Sequence, residues 1–164
     1  MAFWRLYYHF VWGTKDRLPM ITPEVERELY GYLIGKAAAH GCYTHALGGV
    51  ENHVHAVASI PPKMALAEYV QKMKGSSAHH LNHCGIKLPM VFVWQRGYGV
   101  LSLGKRNLPW VVQYVLNQKE HHRESTVHPA LEHITEEDDG PALWNEGQAT
   151  ARIEVIRKPS YEQE

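Results

Sequence analysis

Residues 42–50 and 53–60 both read as strands, and only Glu51 and Asn52 stand between them. A connection of two residues cannot carry a crossover, so the two strands must lie side by side and antiparallel. Every other element has to be arranged around that hairpin. Upstream, residues 3–12 are dominated by aromatic and β-branched types and predict a strand. Between this strand and the hairpin lies a helix. Thr22 is its cap, Pro23 sits in its first turn, and Glu24, Glu26 and Glu28 favour the positive end of its dipole. Val25, Leu29, Tyr32 or Leu33, and Lys36 or Ala37 give it the helical period, and Gly41 stops it.

Downstream, Leu66, Tyr69, Val70, Met73 and Leu81 mark a second helix over residues 64–84, ended by Gly85. Residues 90–95 predict a fourth strand, which residues 98–103 continue or pair with. Residues 107–124 predict a third helix. The order β-α-β-β-α-β, with one short strand and one extra helix, implies an α+β protein. It is a ferredoxin-like (split βαβ) antiparallel sheet with helices on one face and an extra C-terminal helix. Such a layout leaves the other sheet face free for a ligand.

The 164 residues suit one domain, and 45% hydrophobic with 21% charged residues excludes wholesale disorder. Two cysteines, Cys42 and Cys84, are too few for a disulfide framework or a cysteine-built zinc site, and they read as reduced thiols of a cytoplasmic protein. No apolar run is long enough to span a membrane, so no membrane partner is expected. The aromatic N-terminus is broken by Arg5 and His9 and reads as a strand, not a signal peptide.

The formal net charge is zero, which taken alone argues against a nucleic-acid partner. The charge is unevenly spread, however. Residues 1–128 carry 14 Lys or Arg against 8 Asp or Glu, whereas residues 129–164 carry 3 against 9. The chain therefore divides into a basic domain (1–128) and an acidic C-terminal tail (129–164). Such asymmetry hints at nucleic acid.

Three groups of residues can do chemistry. His53 and His55 are two apart in a strand, so both imidazoles project from one face and suit a divalent metal. With 12 His in the chain, chance alone supplies about 0.8 His-x-His pairs, so the spacing is also compatible with no role. Tyr114 and Gln118 are four apart and share a helical face, beside an apolar stripe of Leu108, Val111, Val112 and Val115. A tyrosine so placed serves either as a packing residue or as a functional hydroxyl. The third group is basic: Lys15, Arg17, Lys72, Lys74, Arg96, Lys105 and Arg106, interleaved with Trp12, Trp94, Tyr98 and Trp110. Cations amid aromatics suit single-stranded nucleic acid, although the aromatics can equally be core.

These pieces, taken together, resemble a known family. Tyr8-His9-Phe10-Val11-Trp12-Gly13-Thr14-Lys15-Asp16-Arg17 resembles the opening strand and loop of the single-tyrosine HUH transposases. These are the small transposases of bacterial insertion sequences and their REP-associated relatives. Glu51-Asn52-His53-Val54-His55 resembles their His-hydrophobic-His motif. Trp94-Gln95-Arg96-Gly97-Tyr98-Gly99-Val100-Leu101-Ser102 resembles a segment common in the insertion-sequence branch. Tyr114-Val115-Leu116-Asn117-Gln118-Lys119-Glu120-His121-His122 resembles their catalytic helix. The four stretches stand in the family's order across residues 4–124.

The resemblance implies a DNA transposase that cleaves and rejoins single-stranded DNA beside a hairpin. Tyr114 would be the nucleophile, forming a 5′-phosphotyrosine. His53, His55 and Gln118 would hold a divalent metal, Mg²⁺ or Mn²⁺. The family also implies a homodimer in which the tyrosine helix docks in cis or in trans, with Gly104 as a hinge or an ordinary turn. A domesticated, catalytically weak DNA-binding protein of the same fold is the alternative. A histidine-triad phosphohydrolase is disfavoured, because Val57 stands where a further alternating histidine would be needed. A structural metal site lacks neighbouring cysteines.

Because the positive excess lies in residues 1–128, affinity for single-stranded DNA is expected to fall as salt rises. Anisotropy titrations of a labelled oligonucleotide at several salt concentrations measure this, and a salt-independent dissociation constant would refute it.

Overall fold

A computed structural model describes residues 2–137. The strands are β1 (Tyr7–Gly13), β2 (Tyr43–Val50), β3 (His53–Ser59) and β4 (Gly99–Leu103). The helices are α1 (Pro23–Ala39), α2 (Leu66–His83), α3 (Leu108–Leu116), α4 (Gln118–Glu124) and the single turn α5 (Pro129–Glu132). The four strands form one sheet in the order β2-β3-β1-β4, with every neighbouring pair antiparallel. The expected hairpin is β2–β3, turning at Glu51 and Asn52. As expected, Thr22 caps α1, its side chain accepting from the Val25 N–H at 3.3 Å. Gly41 and Gly85, which follow α1 and α2, take the left-handed φ that a helix stop requires.

The pleat of the two central strands sorts the core. Phe10 and Trp12 of β1, with Val54, Ala56 and Ala58 of β3, join α1 and α2 residues such as Val25, Leu29, Tyr69, Val70 and Met73 in the main core. The alternate positions, His9 and Val11 of β1 with His53, His55 and Val57 of β3, project from the other face. That face was expected to lie open, but α3, α4 and α5 lie against the sheet there. Its smaller apolar cluster is built from Ala46, Val57, Val111, Tyr114, Val115 and Leu131.

Three further expectations change. Residues 90–95 do not form a strand; the fourth strand is Gly99–Leu103. The backbone groups of Phe92 instead bond the Asn82 side chain, at 2.8 and 2.9 Å. The Val93 carbonyl and Gln95 N–H bond Lys15 and Gly13, so this segment seals the end of β1. The helix expected over 107–124 is two helices, because Asn117 (φ −101°, ψ 23°) leaves helical geometry between α3 and α4. Chain expected to begin an irregular tail continues the fold: Leu131 is buried, and Thr135 bridges to Tyr98. The rest of the acidic tail, residues 138–164, lies outside the described residues.

Gly48 of β2 sets how closely α3 approaches the sheet. A Cβ on Gly48 would lie 1.8 Å from the Val115 carbonyl oxygen. No side chain fits between these two backbones. Gly48→Ala is therefore expected to cost about 1–3 kcal/mol in urea unfolding by overpacking. Gly31→Ala meets nothing within 4 Å in α1, and it is expected to stabilise by about 0.5–1 kcal/mol. Equal effects of the two substitutions would refute the contact.

Candidate active site

Strand β3 brings His53 and His55 to the face beneath α3 and α4. Both are buried, as is every residue of the strand. Each ring is held at its inner nitrogen. His53 Nδ1–H donates to Asn52 Oδ1 at 2.7 Å. His55 Nδ1 shares a proton with His9 Nε2 at 2.8 Å. His9 lies on the same sheet face because it stands two positions from Val11, which pairs with His55. The outer nitrogens, His53 Nε2 and His55 Nε2, are buried and make no hydrogen bond.

Tyr114 from α3 and Gln118 from the first turn of α4 reach the same place. The break at Asn117 leaves the Gln118 amide N–H only a long bond, 3.5 Å, to the Tyr114 carbonyl. Gln118 Oε1 is buried with no hydrogen-bond partner. The structure thus gathers Tyr114, His53, His55 and Gln118 within one chain. The Tyr114 ring stacks with His121, centroids 4.7 Å apart, and with the exposed Trp110 at 5.9 Å.

A fifth group was not anticipated. Glu132, at the end of α5, places its carboxylate among these residues. Oε1 accepts from the Tyr114 hydroxyl at 2.5 Å and lies 3.3 Å from His55 Nε2. Oε2 lies 3.3 Å from His53 Nε2 and 3.6 Å from His122 Nε2. The Tyr114 hydroxyl also accepts from the His128 backbone N–H at 2.9 Å. The two 3.3 Å approaches are close in distance, but neither has hydrogen-bond geometry.

Burial dominates the titration of the imidazoles. It pushes His9 down to about 3, helped by His55, and it lowers His55 despite the nearby charge of Glu132. His122 is lowered by burial and then by His53. Burial, then the carboxylate, raises the Tyr114 phenol. Burial also opposes ionisation of Glu132, but His53, His55 and Tyr114 outweigh it and hold the carboxyl well below the usual range. The site therefore sets an ionised carboxylate against a protonated phenol and, at neutral pH, the uncharged rings of His55 and His122.

The family description "Transposase IS200 like" matches residues 2–118, most of the chain. The chain belongs to the IS200-like transposase family. It is similar to the ISDra2 transposase TnpA of Deinococcus radiodurans, 25% identical over 119 residues, covering 70% of this chain and 85% of that protein. It is also similar to the crystal structure of a candidate transposase from D. radiodurans R1. There the TM-score is 0.56 with 27% identity, over 71% of this chain and 93% of that one. A REP-associated tyrosine transposase bound to a REP hairpin shares the fold, with TM-score 0.54 and 14% identity, over 88% of this chain and 100% of that one.

As an IS200-like transposase, the protein is a DNA-cleaving and rejoining enzyme. The family match contains His53, His55, Tyr114 and Gln118 but ends before His122 and Glu132. Among the described residues no helix is long and apolar enough to cross a membrane. The basic residues do not form one patch. Arg17 lines the depression that also holds Asn52, His53, His122 and Glu132, at the mouth of the site. Asp16 and Arg17 both hold left-handed φ there, a conformation that costs on the order of 1 kcal/mol per residue. Lys15 is exposed beside them.

Lys72 and Lys74 lie on α2, on the opposite side of the sheet. Lys72 pairs with Glu68 at 3.4 Å. The Lys74 ammonium donates to the Gln95 and Gly97 carbonyls at 2.7 and 2.8 Å, which ties down the segment that carries Arg96. Lys105 and Arg106 are exposed in the turn between β4 and α3.

Sequence reasoning missed His9, His122 and Glu132 as members of the site. For His9 a signal existed, since it alternates in β1 as His53 and His55 do in β3. For Glu132 there was none.

The pH dependence of stability follows from these shifts. His9 is neutral in the fold, but its unfolded form takes up a proton below about 6.5. The unfolded state then binds more protons, so stability is highest above that pH and falls as pH drops toward about 3. Each such proton contributes a slope of about 1.4 kcal/mol per pH unit. His9→Gln is expected to give a shallower decline in urea midpoint on acidification, and an unchanged slope would refute the role of His9.

Proposed function

We propose that the protein cleaves and rejoins single-stranded DNA with Tyr114 as nucleophile, assisted by a divalent cation held by His53, His55 and Gln118. One observation carries this reading. The buried atoms His53 Nε2, His55 Nε2 and Gln118 Oε1 are donor atoms without hydrogen-bond partners, gathered beside the Tyr114 hydroxyl. Orphaned buried polar atoms are costly, and three of ligand type in one place fit a cation.

The rings are set for that task. Asn52 holds the His53 proton on Nδ1. A His55 proton donated from Nδ1 to His9 likewise leaves its Nε2 lone pair facing the site. Such outer partners fix tautomer and ring direction in metal-binding histidines. The donor set of two imidazoles, an amide oxygen and the nearby carboxylate suits Mn²⁺ and Mg²⁺.

Tyr114 attacks the scissile phosphorus. The bond from its oxygen to phosphorus forms, and the bond from phosphorus to the 3′-oxygen breaks. The phenol loses its proton, and the leaving oxygen departs as a 3′-OH. The resulting 5′-phosphotyrosine keeps the energy of the phosphodiester, so attack by a 3′-OH rejoins the strand without ATP. A bound cation supplies charge stabilisation at the phosphoryl oxygens. Arg17, which lines the mouth, would hold a flanking phosphate. The solved REP-associated transposase supports hairpin DNA as the substrate form for this chain as well.

Incubation with single-stranded DNA from the flanks of the gene, with Mn²⁺ or Mg²⁺, is expected to give a covalent adduct on a denaturing gel. Tyr114→Phe should abolish the adduct while leaving DNA affinity within about twofold, since one hydroxyl contributes little to a phosphate-dominated interface. His53→Ala, or EDTA, should reduce cleavage by at least about 100-fold. An undiminished adduct in Tyr114→Phe overturns the nucleophile, and full activity in EDTA overturns the cation.

A further inference from the structure

Glu132 approaches both rings without bonding them. His9 engages His55 Nδ1 and Asn52 engages His53 Nδ1. His55 Nε2 lies 3.3 Å from Glu132 Oε1, and His53 Nε2 lies 3.3 Å from Oε2. Both Nε2 atoms are buried with no hydrogen-bond partner, so nitrogens and carboxylate oxygens stand side by side as ligand atoms around one cation do. His122 Nε2, 3.6 Å from Oε2, adds a third ring on the outer side. Atoms of His53, His122 and Glu132 all lie within 4.8 Å of one another. Neighbouring ligand atoms of an octahedral ion holding oxygens at about 2.1 Å are separated by about 3 Å.

Resting on the cation reading above, we propose that Glu132 is an anionic ligand of the same ion that His53 and His55 bind. The carboxylate comes from chain beyond the matched family region, and it changes the charge of the donor set. Two imidazoles and an amide are neutral. With Glu132 the set carries one negative charge, so a divalent ion presents a net single positive charge to the phosphate. Oε1 meanwhile keeps the Tyr114 hydroxyl beside the ion.

The test is Mn²⁺ binding to the full-length chain without DNA, by isothermal titration calorimetry and by the Mn²⁺-induced rise in melting temperature. Glu132→Gln keeps size and shape but removes the charge, and it is expected to weaken Mn²⁺ binding at least tenfold and shrink the rise in melting temperature. Glu132→Asp, which keeps the charge, should bind more tightly than Glu132→Gln. Circular dichroism of each variant without metal checks folding. Wild-type affinity in Glu132→Gln, or tighter binding, overturns the proposal; tighter binding would make the carboxylate a competitor of the ion. His53→Ala separates the two readings. If it binds Mn²⁺ as wild type does, the histidine site itself fails. If it loses Mn²⁺ while Glu132→Gln does not, only the role of Glu132 fails.

Discussion

Strand β3 is paired on both edges and covered on both faces, so none of its side chains can turn to water. That constraint governs the rest of the molecule. Its even-numbered positions are apolar and close the main core against α1 and α2. Its odd-numbered positions begin with two imidazoles, which must find partners inside the protein. Asn52 and His9 satisfy one nitrogen of each ring, and the remaining nitrogens converge on the space under α3, α4 and α5. A buried polar group without a partner is destabilising, so the fold carries a standing bias toward filling that space with positive charge.

The site has two halves of different origin. The sheet contributes His9, His53 and His55 on a rigid platform fixed by strand register. The chain after β4 contributes Tyr114, Gln118, His122 and Glu132, each from a different helical turn. The break at Asn117 keeps these turns from forming one straight rod. The segment after α4 then folds back, so that both His128 and Glu132 reach the Tyr114 hydroxyl. Tyr114 is thus held by residues on both sides of it in sequence.

Much of this was legible in the sequence, and for identifiable reasons. The two-residue turn at Glu51-Asn52 fixed the hairpin, Thr22 and Gly41 bounded α1, and the period of β3 put both histidines on one face. Helical spacing put Tyr114 and Gln118 on one face, and the resemblance to the transposases singled them out. What escaped was long-range. Residues 90–95 have strand composition, but their backbone groups bond Asn82 and the end of β1, which no local pattern reveals. The apolar stripe ends at Leu116 and Asn117, a modest helix former, follows it; these were the local hints of the break. Glu132 sits in an acidic stretch where charge looks like solubility, and its role depends on contacts with residues about 80 positions earlier. The resemblance to known transposases gave no help there, because it fades before that position.

The contact between Gly48 and the Val115 carbonyl has a mechanical meaning. Backbone rests on backbone, so the height of the tyrosine above the histidines is gauged by the thickness of two main chains. Side chains in the small cluster around Val111 and Leu131 decide how firmly α3 is pressed down, but not where it comes to rest. Drift among those apolar residues therefore alters the stability of the second layer while Tyr114 keeps its stand-off. A tool whose tolerance is machined into its frame can have its fittings replaced many times and still cut at the same depth.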